Sequence, residues 1–163
     1  MNIGVSKEKL FFNDKGYKCA IGKNGVSSDK KEGDGAIPAG CFNLRQVLYR
    51  ADKISEPETN LTTQIINKND LWCDNPTHET YNTMVKLPHS GSYENLWRVD
   101  DVYDIVAPIG YNDDPPIAGK GSAIFIHVAR ESYSPTAGCI ALAMPDLLEI
   151  LRVADRETKI CIE

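Results

Sequence analysis

A histidine and a cysteine in the last quarter of the chain have the types and spacing of a base and its nucleophile. His127 ends the apolar run that begins at Ala123, and Cys139 directly follows Gly138. A cysteine attacks carbonyl groups only as the thiolate, which at neutral pH requires a nearby imidazole, cation or helix N-terminus. The polar connector 128–136 is long enough to turn back toward the strand, so the imidazole and the thiol can meet.

The glycine before this cysteine allows a substrate to approach the backbone closely. The N–H groups of Gly138 and Cys139 could donate to the oxyanion that develops when a carbonyl is attacked. The alternative is structural, because an isolated cysteine is more often a small buried hydrophobic residue, and an isolated histidine a satisfied structural one. The other four cysteines are predicted to be core residues, since they lie in apolar or strand-like stretches: Cys19, Cys41, Cys73 and Cys161.

The five cysteines form an odd set without a CxxC pair. They indicate neither a complete disulfide framework nor a zinc ribbon, and at least one thiol must be free or paired outside the chain. Cys73 and His78 have a spacing that could suit a metal, and His89 lies in another polar loop. No second ligand pair and no HExxH pattern accompanies them, so the sequence predicts no metal site and no cofactor.

The elements that must position these residues are mostly β-strands. Alternating or β-branched runs predict strands over 9–12, 17–21, 41–49, 102–106, 123–128 and 159–162. Residues 145–154 are the one convincing helix, with Pro145 in its first turn and an apolar face at helical spacing. The pattern predicts a mainly β sandwich or barrel. Long loops around residues 51–100 are expected to form a wall of the binding site.

The length and composition fit a single domain over residues 1–163. An apolar fraction of 42% and a charged fraction of 25% are ordinary for a soluble globular protein. No apolar run approaches the roughly 18 residues of a membrane span. The net charge of −5 and the scattered basic residues argue against a nucleic-acid partner. The first residues lack the apolar core of a secretory signal peptide, so no export route is indicated.

Two separated motifs carry a family resemblance. Residues 121–127, ending in His127, are followed by Pro-Thr-Ala-Gly-Cys-Ile-Ala-Leu at 135–142, and residues 31–42 contain Ile-Pro-Ala-Gly-Cys-Phe. These stretches resemble the L,D-transpeptidase catalytic domain, the YkuD family, whose usual signatures are a His followed by Ser/Thr-His-Gly-Cys, and an upstream Thr-Pro-x-Gly-x-Phe turn. Further segments extend the resemblance over nearly the whole chain, to a branch of short bacterial members: 72–74, 81–82, 87–88, 97–98 and 112–115.

The resemblance implies an enzyme with a β-sandwich or barrel and one or two short helices, the main one after the nucleophile. Cys139 would attack the carbonyl of the third residue of a peptidoglycan tetrapeptide stem, expel the terminal D-alanine and pass the acyl group to a side-chain amine of another stem. His127 would take the thiol proton and later deprotonate the acceptor amine. A backbone carbonyl would orient the imidazole, and Val128 carries the nearest one.

The resemblance also implies a substrate-binding set, made up of Thr136, Arg130, Arg98, Tyr81 and Asn112. Arg130, with Arg98 next, would clamp a stem carboxylate; the alternative for Arg130 is a solvent-exposed strand end. Tyr81, Trp97 and Tyr111 would supply an aromatic wall or pack in the core. Carbapenems are expected to be covalent inhibitors, and the protein to be a monomer.

The chain departs from the family pattern beside the nucleophile. Ala137 stands where the signature has histidine, and Ala141 where it has asparagine or arginine. The loss of these polar groups leaves three functions open: L,D-transpeptidation, L,D-carboxypeptidase or related hydrolysis at the same Cys–His pair, and non-catalytic wall binding. The substrate lies in the periplasm or cell envelope, whereas the lack of a visible signal peptide also leaves the cytoplasm open.

Overall fold

The computed structural model describes residues 1–163 and consists mainly of β-strands, as the sequence predicts. The strands are β1 (Asn2–Ser6), β2 (Lys9–Phe12), β3 (Lys15–Ala20), β4 (Val26–Ser27), β5 (Ile37–Pro38), β6 (Gly40–Asn43), β7 (Val47–Tyr49), β8 (Thr63–Ile65), β9 (Asp70–Cys73), β10 (Met84–Lys86), β11 (Tyr93–Asn95), β12 (Ile105–Pro108), β13 (Phe125–Val128), β14 (Ile140–Leu142) and β15 (Lys159–Ile162). The one helix is α1 (Met144–Val153).

Ten strands form one large sheet in the order β6-β15-β1-β2-β3-β14-β13-β12-β7-β8. The strands β6 and β7 are far apart in this order although only residues 44–46 separate them in the chain. A β-bridge between Leu44 and Ile109 links the two regions, and the N–H of Gly110 donates to the carbonyl of Asn43 at 2.7 Å. The sheet is therefore curled, which explains why the predicted strand 41–49 is broken where it changes partners.

The two faces of the large sheet bury different clusters. One face carries the larger core of 24 buried residues, which includes Leu147, Ile150 and Leu151 of α1. The helix begins with Pro145 in its first turn, where a missing N–H costs no helical hydrogen bond. The other face carries a core of 10 residues that contains Phe125 and Cys139. The nucleophile candidate thus lies on the face opposite the helix.

The long region 51–100 covers this second face. It contains a three-stranded sheet in the order β10-β9-β11, and Trp72 of β9 packs edge-on against Phe125 of β13 with ring centroids 4.9 Å apart. Residues 51–100 therefore carry more regular structure than the loops expected from the sequence. Strand β12 also begins three residues later than predicted. None of the chain's helical structure is long and apolar enough to cross a bilayer.

Two cysteines predicted to be core residues form a disulfide instead. Cys41 of β6 and Cys161 of β15 are directly opposite each other in an antiparallel pair, and their sulfur atoms are bonded. Cys41 is exposed and Cys161 half-buried. The sequence could not reveal this pairing because 120 residues separate the two cysteines. The prediction of core positions holds for Cys19 and Cys73, which are free and buried.

Candidate active site

The fold brings His127 and Cys139 to the same face of two neighbouring strands. β13 and β14 are parallel, with His127 opposite Ala141. Side chains two residues apart on a strand point to the same face, so Cys139, two residues before Ala141, shares the face of His127. Both residues line one cavity of about 210 Å³. The chain returns after Val128 to the neighbouring strand β14 at Ile140, an arrangement that the spacing allows and does not require.

The thiol of Cys139 is protonated at rest. It donates to the carbonyl oxygen of Ala123, with Sγ 3.2 Å away, and burial raises the pKa of Cys139 to about 12. Ala123 has a positive φ of 52°, which non-glycine residues rarely adopt. Its N–H donates to Oδ1 of the buried Asn82 at 3.0 Å. This turn fixes the carbonyl that orients the thiol.

The imidazole of His127 is held at one nitrogen. Nδ1 lies 2.9 Å from the carbonyl oxygen of Val128, the carbonyl that the family resemblance suggests. When Nδ1–H donates to that carbonyl, Nε2 keeps its lone pair and can accept a proton. Burial lowers the pKa of His127 below its ordinary value of 6.5. Burial thus favours the uncharged thiol and the uncharged imidazole over an ion pair.

The N–H groups expected to face an oxyanion have another partner in the structure. The N–H groups of Gly138 and Cys139 both donate to Oγ1 of Thr136, at 3.1 Å and 2.8 Å. The Thr136 hydroxyl in turn donates to the carbonyl of Cys139 at 2.6 Å. Thr136 lines the cavity, but its hydroxyl is used to shape the nucleophile turn. An oxyanion could reach these donors only after that hydroxyl rotates away.

Gly138 permits this turn to pack closely. Its φ of +134° is rare for residues with a side chain, and a Cβ there would lie 3.0 Å from the carbonyl oxygen of Ala36. The same Cβ position lies 3.9 Å from Nζ of Lys30. This ammonium is buried and donates to the carbonyl of Lys31 and to Oδ1 of Asp34. It places a positive charge beside the nucleophile turn.

Acidic side chains line the rest of the cavity. They are Glu32, Asp74 and Glu94. Burial raises the pKa of Glu94, and the hydroxyl of Tyr103 donates to its Oε1. The Tyr103 ring packs edge-on against the His127 ring with centroids 5.3 Å apart. A carboxyl group is thus connected to the imidazole through an aromatic ring.

The two predicted arginine clamps do not line the cavity. Arg98 donates through Nε and Nη2 to the two carboxylate oxygens of Asp100, at 2.8 Å and 2.7 Å. The hydrogen bonds from Arg98 are the main reason that the pKa of Asp100 is lowered to about 2. Arg130 is half exposed and lies 3.5 Å from the same carboxylate. Asp100 holds both guanidinium groups outside the cavity lining, and their role as a clamp for a stem carboxylate stays a prediction.

Tyr81 and Asn112 also have structural contacts in place of cavity positions. The buried Tyr81 hydroxyl donates to Oε1 of Glu32 at 2.7 Å and accepts from the N–H of Gly121 at 3.0 Å. Asn112 uses both polar atoms of its side chain on the backbone of its own loop, at Ile117 and Gly121. Tyr81 therefore positions the cavity residue Glu32, and Asn112 stabilises the loop 112–121.

Several cavity residues were not singled out from the sequence. Lys30 precedes the upstream motif at 31–42, and Glu32 lies within it, so proximity to a motif could have pointed to them. Glu94 carries no such signal, since it lies in a region of irregular pattern, and Tyr103 lies in the predicted strand 102–106 without a motif beside it. The structure brings them in because β11 and residues 96–104 pack over β13. A further cluster, Cys73, His78 and His89, lies outside this cavity.

Comparison with known proteins gives one match. A protein-family model described as the L,D-transpeptidase catalytic domain, YkuD, matches residues 5–162. Searches of curated proteins and of solved structures returned no significant match. The matched range includes both strands of the candidate site and nearly the whole chain. The family comprises cysteine-nucleophile enzymes that act on peptidoglycan peptides. The chain therefore belongs to the L,D-transpeptidase catalytic domain family.

Proposed function

We propose that the protein is a cysteine acyltransferase that crosslinks peptidoglycan stem peptides through a thioester on Cys139. The observation that carries the proposal is the placement of one free thiol and one base on the same face of β13 and β14, beside a single cavity. Cys139 is buried, but it belongs to the lining of that cavity. A merely structural cysteine would not require a cavity.

In the first step, Sγ of Cys139 bonds to the carbonyl carbon of the third stem residue while Nε2 of His127 takes the thiol proton. The uncharged thiol and imidazole are suited to a concerted step, in which the thiol loses its proton as sulfur bonds to carbon. A separate thiolate would be poorly stabilised at such a buried position. The tetrahedral intermediate then breaks its bond to D-alanine, whose amine takes the proton from His127. Lys30 supplies the positive charge nearest to the developing oxyanion.

In the second step, an amine of another stem attacks the thioester. His127 takes the proton of the attacking amine, and the thiolate of Cys139 leaves and is reprotonated. The acidic residues Glu32, Asp74 and Glu94 attract ammonium groups of donor and acceptor stems. An acceptor that arrives as an ammonium first loses one proton to solvent. His127 takes the second proton as the neutral amine attacks and returns it to the departing thiolate of Cys139.

A second candidate is an L,D-carboxypeptidase that uses the same pair. The observation that favours it is Ala137, which is exposed and lines the cavity where the family signature has histidine. A small apolar side chain leaves room for water beside the thioester. Water would then release a tripeptide, with no crosslink.

The test is to incubate the protein with a tetrapeptide stem, with and without an acceptor stem, and to separate the products. Transpeptidation predicts D-alanine and a crosslinked dimer; hydrolysis predicts D-alanine and a tripeptide whether or not acceptor is present. Cys139→Ala should abolish both, whereas Cys19→Ala, at another buried free cysteine, should retain turnover. Stem binding without any D-alanine release from the wild type would contradict the proposal and indicate a wall-binding module.

We also propose that the protein works in the cell envelope. The Cys41–Cys161 disulfide supports this location, because disulfides persist in oxidising compartments and are rare in the cytosol.

A further inference from the structure

A second thiol lies beside two imidazoles outside the catalytic cavity. Cys73, at the end of β9, is free and completely buried. One ligand atom each from Cys73, His78 and His89 lies within 4.8 Å of the other two. The sequence predicts no metal site because Cys73 and His78 lack a second ligand pair. The fold supplies the missing ligand, His89, from a separate loop.

Three segments are held together at this cluster. His78 lies in the turn after β9, where its N–H donates to the carbonyl of Asn75 at 3.1 Å. His89 lies on the crossover 87–92 between β10 and β11. The two imidazole rings are 4.4 Å apart between centroids. Gly91 allows this crossover to lie close to the turn after β9, since a Cβ there would lie 2.9 Å from Nδ2 of Asn75 and 3.2 Å from Cδ2 of His78. The ligands are thus positioned by the backbone before any ion binds.

One nitrogen of the cluster lacks a partner. Nε2 of His89 is buried and makes no hydrogen bond, although buried polar atoms are nearly always paired. In His78, Nδ1 lies 2.8 Å from Oγ1 of Thr80, so Nδ1–H can donate to that oxygen and leave a lone pair on Nε2. In the structure the Ser90 hydroxyl lies 3.2 Å from this Nε2 and can donate to it, a contact that a metal ion would replace. The other tautomer accepts the Thr80 N–H at 3.1 Å. Metal binding would select the first tautomer, as second-shell hydrogen bonds commonly do.

We propose that Cys73, His78 and His89 bind a divalent transition metal, with Zn²⁺ the best match. Thiolate and imidazole are the ligands that Zn²⁺ prefers. The Cys73 thiol loses its proton to solvent, its thiolate bonds to the metal, and each imidazole donates one lone pair. Tetrahedral ligand atoms lie roughly 3.3–3.6 Å apart at typical Zn–S and Zn–N distances. Small side-chain rotations are sufficient to close the cluster, and water takes the fourth position.

The metal would tie β9 to the crossover 87–92 and to the loop 74–83, which supports the nucleophile. The loop 74–83 contains Asn82, whose Oδ1 accepts the N–H of Ala123. The Ala123 carbonyl accepts the Cys139 thiol. The loop also begins with Asp74, which lines the cavity. The metal therefore has a structural role, fixing the segment 73–91 without touching substrate.

The test uses the full chain with Cys139→Ala, so that the catalytic pair cannot bind the ion. Zn²⁺ is titrated in competition with a chromophoric chelator, and Co²⁺ is added separately as a spectroscopic probe. We expect one Zn²⁺ per chain and, with Co²⁺, a thiolate-to-metal charge-transfer band with the strong visible absorption of a tetrahedral site. His89→Gln and Cys73→Ala in this background should each weaken zinc binding about 100-fold or more. Cys19→Ala, the matched control, should leave the affinity unchanged.

Far-UV circular dichroism and thermal unfolding establish that each variant is folded. If His89→Gln does not fold, His78→Asn replaces it with the same expected loss. Absence of zinc binding at micromolar concentration, or equal binding by the ligand variants, would overturn the proposal. Because every sample lacks the nucleophile, neither result bears on acyl transfer.

Discussion

Two thiol–imidazole groups in one chain have different surroundings and, on our account, different chemistry. Cys139 faces an open cavity, has one imidazole on a neighbouring strand, and donates to a backbone carbonyl. Cys73 is sealed in the core, with two imidazoles from loops and one unpaired ring nitrogen. A nucleophile needs room for a substrate and a single base; a metal needs several lone pairs directed to one point. The number of neighbouring imidazoles and the access to solvent therefore distinguish a nucleophilic cysteine from a metal-binding one.

The largest effect on turnover short of removing the thiol is expected from His127→Gln. Loss of a general base typically lowers kcat by about 10²–10⁴, and no other imidazole lines the cavity to replace it. Steady-state kinetics on the tetrapeptide donor measure this effect. A decrease in kcat of less than tenfold would contradict the role of His127 as the base, because the reactivity of Cys139 would then not depend on it. The Cys139 group would no longer differ from the Cys73 group in this respect.

The dependence of kcat/KM on pH also tests the role of His127 as the base. Burial lowers the pKa of His127 below 6.5, so the base remains neutral and kcat/KM should stay constant down to slightly acidic pH, then fall. The unfolded imidazole binds a proton near pH 6.5 and the native one only at lower pH, so stability should also decrease as the pH falls through that interval. An acid limb centred above pH 7 would contradict a lowered pKa.

A smaller loss is expected from Thr136→Val, which removes the hydroxyl that organises the nucleophile turn. The change leaves the N–H groups of Gly138 and Cys139 without their partner. Each lost hydrogen bond costs about 1 kcal/mol, so we expect roughly tenfold lower kcat with reduced thermal stability. Thr136→Ser keeps the hydroxyl and is the matched control. If the valine variant is faster than wild type, the hydroxyl obstructs the oxyanion site.

A still smaller decrease is expected from Tyr103→Phe. The ring remains against His127, and Glu94 loses the hydroxyl that donates to it. A buried carboxyl group without this donor should become harder to ionise, which weakens the acidic character of the cavity. We expect about a threefold decrease in kcat/KM, which corresponds to the free energy of a partly lost hydrogen bond. Unchanged kinetics with unchanged pH dependence would limit Tyr103 to packing.

The least effect on catalysis is expected from Cys41→Ser with Cys161→Ser. These residues lie on β6 and β15, and neither lines the cavity. Loss of a native disulfide typically costs about 2–5 kcal/mol of stability, so chemical denaturation should show a lower midpoint with kcat unchanged. A large loss of kcat in the folded double variant would connect the disulfide to the site.

The parts of the site that depend on short chain distances could be predicted from the sequence. The spacing of His127 and Cys139, with a glycine and a connector long enough to turn back, allows the two groups to meet, although strand β14 is not predicted; the helix from residue 145 follows from its apolar periodicity. Contacts between distant segments could not be predicted. Asp100 holds the two arginines by ion pairs, His89 approaches Cys73 through a crossover, and Cys41 meets Cys161 because the distant segments β6 and β15 pair as neighbouring strands. Periodicity gives no information on such pairings.

The proposed function depends above all on the reactivity of the Cys139 thiol. The most direct test is the mass of the intact protein after incubation with a carbapenem. We expect one adduct per chain in the wild type and in Cys19→Ala, and none in Cys139→Ala. Adduct formation should slow strongly in His127→Gln, because the resting thiol is protonated and needs its base. No adduct in the wild type, or an adduct that persists in Cys139→Ala, would contradict the assignment of Cys139 as the nucleophile.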